Sequence, residues 1–221
     1  MKFASSVFSV LCLSVLIGCG QTGPHADSVE EAAVKAAPIK IVERIQAERG
    51  AIVAKLSNGM TVIARAVHTA PVVSVRAYVR AGGLYEKEWL GCGISHLCEH
   101  LVAEYSTTSE AGHLRSKSQA VRSRLEDIGG QPNAYTTLSH TCYYISAAAG
   151  KTNECIDLIA DQIARPEITT AYFKREHGVV QRELEMGKDD PRRIMYYTHQ
   201  ANLYGTHPAA VPVIGYADPL G

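Results

Sequence analysis

Hydrophobic and polar positions along this chain follow two periods, and the changes between them mark out its elements. Ala51 to Ser57 and Met60 to Ala66 are apolar-rich runs on either side of Asn58-Gly59, a dipeptide suited to the backbone of a tight turn, so they predict a β-hairpin. From Pro71 to Ala81, Val73, Val75, Ala77 and Val79 alternate with Ser74, Arg76 and Tyr78, which is the period of a strand with one buried face. Gln131–Thr137 and His140–Ala148 read as extended too. Elsewhere the period lengthens to that of a helix. One helix begins near Ser95; a second covers Leu114–Ile128, closed by Gly129-Gly130; a third runs over Asn153–Ala164 and stops before Pro166. Thr169–Gly187 predicts a longer helix, and Pro191 lets a last one run over Arg192–Tyr204. Strands mixed with helices in this order predict an α+β layer fold. No internal repeat is visible.

The N-terminal segment has a different character. Lys2 precedes an apolar run from Phe3 to Ile17 that is too short and too rich in Ser for a membrane span, and it reads as an export signal. The run ends in Leu16-Ile17-Gly18-Cys19, which resembles the bacterial lipoprotein box. That resemblance makes residues 1–19 a signal peptide, with Cys19 as the acylated first residue of the mature protein. Several acyl chains on one Cys anchor a protein stably to a membrane where a single chain does not. Gly20, rather than Asp, after the Cys resembles outer-membrane sorting, so the expected location is the cell envelope, facing the periplasm. The competing reading is an ordinary cleaved signal with an incidental Cys. Residues 20–49 are Ala-rich and polar with Pro24 and Pro38, and they predict a tether with one short helix over Ser28–Ala36. Residues 50–221 are then the expected folded domain.

Composition narrows the function classes only by exclusion. With 221 residues, 46% of them hydrophobic, the chain can bury one good core. Its 22 basic and 22 acidic side chains cancel, which leaves no electrostatic case for binding nucleic acid. Cys92, Cys98, Cys142 and Cys155 show neither a disulfide framework nor a paired-cysteine metal spacing.

The chemistry-bearing stretch is His96-Leu97-Cys98-Glu99-His100. On a helix, positions four apart lie one above the other, so both imidazoles reach one ion while Glu99 lies beside them. The order H-x-x-E-H is that of a group of zinc hydrolases. A third ligand has to come from the long helix over 169–187, where Glu176, Glu183 and Glu185 are the candidates. Glu176 and Glu183, seven apart, share a face, and Glu185 points elsewhere. Cys92, four residues before His96, rivals Glu183 if the first helix starts early, although Gly91 and Gly93 flank it.

The surrounding motifs extend the pattern. Leu56-Ser57-Asn58-Gly59-Met60-Thr61-Val62, Arg80-Ala81-Gly82-Gly83 with Glu86, Gly93-Ile94-Ser95, Gly129-Gly130, Asn133-Ala134, Thr136, the run His140–Tyr144 and the run Glu176–Glu183 follow one another in an order that resembles the N-terminal domain of the pitrilysin/insulinase family of zinc metallopeptidases. The resemblance spans roughly residues 50 to 216. It implies a mainly antiparallel sheet packed with helices, and a zinc-dependent endopeptidase that cleaves peptides or unfolded polypeptide segments. It puts one zinc ion on His96, His100 and Glu183, leaving a fourth position for water. It makes Glu99 the catalytic base that activates that water and counts Glu176 with the catalytic machinery, outside the ligand set, as the group that orients a histidine or tunes the bound water. It also places substrate pairing along the extended segment at Asn133 and Ala134, as an added strand. Asn133 read by itself is equally a turn cap, since Asn beside Gly often is. In the family the domain continues past the position of Gly221 and a second, homologous domain or subunit closes over the substrate, so the chain is expected to be incomplete. The rival function is a non-catalytic scaffold or partner-binding subunit of the same family. Such members usually lose metal residues, and here all four are present.

Overall fold

The computed structural model describes residues 38–103, 117–166 and 168–217. The export signal, Cys19, the helix expected over Ser28–Ala36 and the start of the helix expected from Leu114 lie outside them. The chain divides into two compact units, Met1–Ala70 and Pro71–Gly221. The first unit holds the predicted hairpin as β2 (Ala51–Leu56) and β3 (Thr61–Arg65), paired antiparallel from Ala51 opposite Arg65 to Lys55 opposite Thr61. A further strand, β1 (Ile41–Gln46), pairs antiparallel with β2, so the sheet order is β1-β2-β3. Residues 41–46 therefore correct the tether reading of 20–49. The sequence hides this strand because its register slips between Ile41 and Glu43, which breaks the alternation that period-two patterning looks for. The Glu43 carboxylate and the Lys55 ammonium, directly opposite one another, form a cross-strand ion pair at 2.6 Å.

The second unit is built on the sheet β4-β6-β5: β4 (Val72–Val79), β5 (Gln131–Thr136) and β6 (Thr141–Ala148), all antiparallel. One face is covered. The helices are α1 (Ile94–Ala103), α2 (Lys117–Asp127), α3 (Thr152–Ala164), α4 (Thr170–Lys188) and α5 (Pro191–Tyr204). Ile145 and Ala147 of β6 meet Cys155, Leu158 and Ile159 of α3 and Val121 of α2 in the core, with Val73, Val75 and Ala77 of β4 packed against it. The alternation over 71–81 thus has the meaning that its period implied. Tyr143 is buried and its neighbour Tyr144 is only half-buried, as adjacent strand residues must be. Cys92, Cys98, Cys142 and Cys155 are all free.

Two helix starts are fixed by caps that the sequence shows. The Thr169 side chain accepts from the Tyr172 N–H at 3.2 Å to open α4, and the Asp190 side chain accepts from the Arg192 N–H at 2.9 Å to open α5 behind Pro191. The start of α1 is fixed differently. Its cap is distant: Glu86 Oε1, nearly buried, accepts from the Ser95 N–H at 2.8 Å and puts a carboxylate at the positive end of the helix. Just ahead of α1, Gly93 has φ +65° and lies so close to the backbone of Ile214 and Gly215 that any side chain there would collide with it. The chain after α5 closes on this turn, with the Tyr216 N–H donating to the Gly91 carbonyl at 2.9 Å. Gln162 of α3 holds the other end of α1 by donating from Nε2 to the carbonyls of Val102 and Ala103, each at 3.2 Å.

Candidate metal centre

His96 and His100 lie one turn apart on α1, their rings 4.8 Å apart and nearly perpendicular. α4 packs against α1 and brings Glu183 to both: Oε2 of Glu183 is 3.7 Å from His96 Nε2 and 3.7 Å from His100 Nε2. These three residues form the one group of potential metal ligands among the described residues, with donor atoms all within 4.8 Å of each other. Cys92 is not part of it. It stands in the turn before α1 and its N–H donates to the Trp89 carbonyl at 2.9 Å. Glu185, the other candidate on α4, is exposed and accepts from Lys188 Nζ at 2.6 Å.

The donor set fits zinc. Four-coordinate zinc with bonds of about 2.0–2.1 Å holds its ligand atoms about 3.3–3.4 Å apart, so the two 3.7 Å separations need only a few tenths of an ångström of closure. Two imidazoles and a carboxylate also leave one position open, as catalytic zinc sites require.

Glu176, two turns before Glu183 on α4, is completely buried. Its Oε1 accepts from Arg175 Nε at 2.8 Å, and its Oε2 lies 3.6 Å from His100 Nδ1 with no hydrogen bond. That gap is longer than a hydrogen bond, yet it aims a carboxylate at the ring nitrogen facing away from Glu183. With no exposure, this side chain offers no surface to a substrate and reaches the site only where it lies against His100.

Glu99, on the same helix, points towards β5 instead. Thr136 Oγ1 donates to Glu99 Oε2 at 2.6 Å, and the neighbouring Thr141 hydroxyl donates to the Ala81 carbonyl at 2.9 Å. Burial pushes the Glu99 carboxyl above the ordinary carboxylate range, and the Glu183 charge adds to this; the Thr136 hydrogen bond and His100 work the other way. His96 is shifted in the opposite sense. Burial, then the charges of His100 and Arg193, bring its pKa down to about 4, so its ring is neutral, as a metal ligand must be. A recess of about 450 Å³ opens beside Glu99 and His100, walled by Val121, Leu125, Pro132 and Ala134.

The remaining expected contacts divide. β5, which carries Asn133 and Ala134, is the edge strand next to α1 and is paired only with β6 among the described residues. The Asn133 side chain is turned onto its own strand, its Oδ1 accepting from the Ala134 N–H at 2.8 Å. Two contacts at the site escape sequence reasoning. Thr136 stands in the motif pattern, but nothing in the local pattern of β5 marks it as the partner of Glu99. Arg193 comes from α5, where its Nη1 donates to the Glu183 carbonyl at 3.2 Å; on a helix of mixed polarity it reads as one more surface cation.

Comparison with known proteins agrees with this geometry. The model of the family described as Insulinase (Peptidase family M16) matches residues 61–216. A relative in Bacillus subtilis named as the uncharacterized zinc protease YmxG is 27% identical over 163 residues, 74% of this chain and 38% of its own length. The fold is similar to that of a protease from Helicobacter pylori, with a TM-score of 0.64 and 21% identity over 81% of this chain and 40% of that one. It is also similar to a peptidase M16 inactive domain from Pseudomonas fluorescens, with a TM-score of 0.63 and 18% identity over 77% of this chain and 40% of that one. With a family match over most of its length and a fold shared with members of that family, the chain belongs to the insulinase family of peptidases, family M16.

Proposed function

We propose that this chain is the metal-bearing part of a zinc endopeptidase that cleaves peptides or unfolded polypeptide segments. The observation that carries the reading is the convergence of His96, His100 and Glu183 on one point, with Glu99 held beside them by Thr136. Bound there, zinc would acidify a water and polarise a peptide carbonyl. Glu99 takes the proton of the attacking water and returns it to the leaving amine. Thr136 keeps the carboxylate turned to the site, and Glu176 keeps the His100 ring in place. The open edge of β5 offers backbone groups to an extended substrate, which is why an unfolded segment suits the site better than a folded surface.

The chain covers 38% of the length of the Bacillus relative. We take a second, homologous domain or subunit to close over the substrate, and the lipoprotein box at Cys19 to anchor the assembly to the envelope membrane. The rival reading, a non-catalytic subunit, draws on the likeness to the Pseudomonas inactive domain. One experiment separates them. Zinc content and cleavage of an unstructured peptide are measured together, on protein that includes the remaining half of the assembly. A peptidase holds about one zinc per chain, loses it in His100→Ala, and in Glu99→Gln keeps zinc while cleavage falls by at least about a hundredfold. A chain without stoichiometric zinc, or a Glu99→Gln variant that cleaves at the wild-type rate, overturns the proposal.

A further inference from the structure

Glu183 is the least protected of the three proposed ligands, with a side chain 41% exposed against 18% for His96 and 14% for His100. The two histidines ride on α1, whose ends are clamped by Glu86 and Gln162. Glu183 has no clamp of that kind on its side chain. Its backbone does: Arg193, ten residues on, reaches back from the first turns of α5 and donates from Nη1 to the Glu183 carbonyl at 3.2 Å. The route of that side chain is shaped by a glycine. A Cβ built at Gly187 would lie 2.6 Å from Arg193 Nη1 and 2.7 Å from its Cδ, closer than atoms approach without something moving. Gly187 is the last residue but one of α4 and has no positive φ, so no left-handed turn requires a glycine there. Room for Arg193 does.

We propose that Arg193 is a positioning residue that fixes the stretch of α4 carrying Glu183, and that Gly187 is present to let its guanidinium through. The proposal rests on the reading of Glu183 as a metal ligand and adds a residue that sets how well that ligand is placed. Two properties make the arrangement suited to the task. The guanidinium is planar and always charged, so its bond to a carbonyl is stronger and more directional than a neutral one. It also ties α5 to α4 across the two-residue connection Asp189-Asp190, where the helices would otherwise be joined only by their caps and side-chain packing. The obstruction at Gly187 is a flexible side chain and not backbone, so an Ala there would displace Arg193 and leave the helices folded.

That last point makes the test sharp, because Ala is a better helix former than Gly. Zinc affinity is measured by competition with a chromophoric chelator on the full chain, alongside thermal melting of the metal-free protein. The chains compared are wild type, Arg193→Met, Arg193→Lys, Gly187→Ala and the Gly187→Ala/Arg193→Met double variant. Arg193→Met is expected to weaken zinc binding by about tenfold or more, the range typical of groups that orient ligands. Arg193→Lys, which keeps a charged donor, restores part of it. Gly187→Ala weakens zinc binding in the same direction while its melting temperature stays level or rises, and adding it to Arg193→Met brings no further loss. A purely structural role would move melting temperature and zinc affinity together in both single variants, and that result overturns the proposal. So does an Arg193→Met chain that binds zinc as tightly as wild type. If wild type binds no zinc, the metal reading itself falls and this one with it, whereas wild-type zinc binding that depends on His100 but not on Arg193 removes this inference alone.

Discussion

In the metal-free protein His96 carries a cost that can be read out as a function of pH. Burial, with the charges of His100 and Arg193, lowers its pKa to about 4 in the folded chain, against about 6.5 for an unperturbed imidazole. The unfolded chain keeps the ordinary value. It therefore binds a proton that the folded chain refuses, and stability must fall as pH drops below about 6.5, levelling off near the folded value. Between pH 7 and pH 5 the unfolded imidazole goes from mostly neutral to almost fully protonated, while the folded one stays neutral. That difference amounts to about 2 kcal/mol. The perturbation is His96→Asn, which removes the titration and keeps a polar side chain of moderate size. Urea unfolding of chelator-treated wild type and variant at pH 7, 6 and 5 gives the two slopes; histidines remote from the site cancel in the comparison, and the difference reports His96 with its coupling to His100. Wild type should lose about 2 kcal/mol more than the variant over that interval. Equal losses would refute the reasoning, because they would mean that His96 is already charged in the folded chain or is as hydrated there as in the unfolded one.

Three other outcomes are expected. Glu99→Gln should stabilise the metal-free chain at pH 7, since the raised pKa of Glu99 means that ionising it opposes folding; the gain should shrink as pH falls and the carboxyl protonates, and melting curves at several pH values would show it. Leu158→Ala, at a position 1% exposed between α3 and the sheet, should cost about 2–5 kcal/mol in denaturant unfolding; a loss below about 1 kcal/mol would mean that this side chain does not hold the core. Cys19→Ser should stop incorporation of labelled fatty acid in a bacterial host, and equal labelling of both chains would show the lipoprotein box to be incidental.

What the sequence determined by itself was everything carried by short spacing. His96, Glu99 and His100 fall on one helix face because 3.6 residues make a turn, and no tertiary information is needed to see it. The strand over 71–81 and the Asn58-Gly59 hairpin are legible for the same reason: each is a pattern among residues a few positions apart. β1 was lost where that logic failed, since the slip between Ile41 and Glu43 removes the alternation by which a strand is recognised. Glu183 stood between the two cases. Spacing put it on one face with Glu176, and family resemblance separated their roles, but only the packing of α4 on α1 set one beside both imidazoles and buried the other behind His100. Glu86 and Thr136 stand in the motif pattern, but their partners, like those of Gln162 and Arg193, belong to tertiary structure alone. Each acts on a backbone or carboxylate between nine and sixty residues away, and a polar side chain carries no local mark of the partner it will meet once the chain has folded.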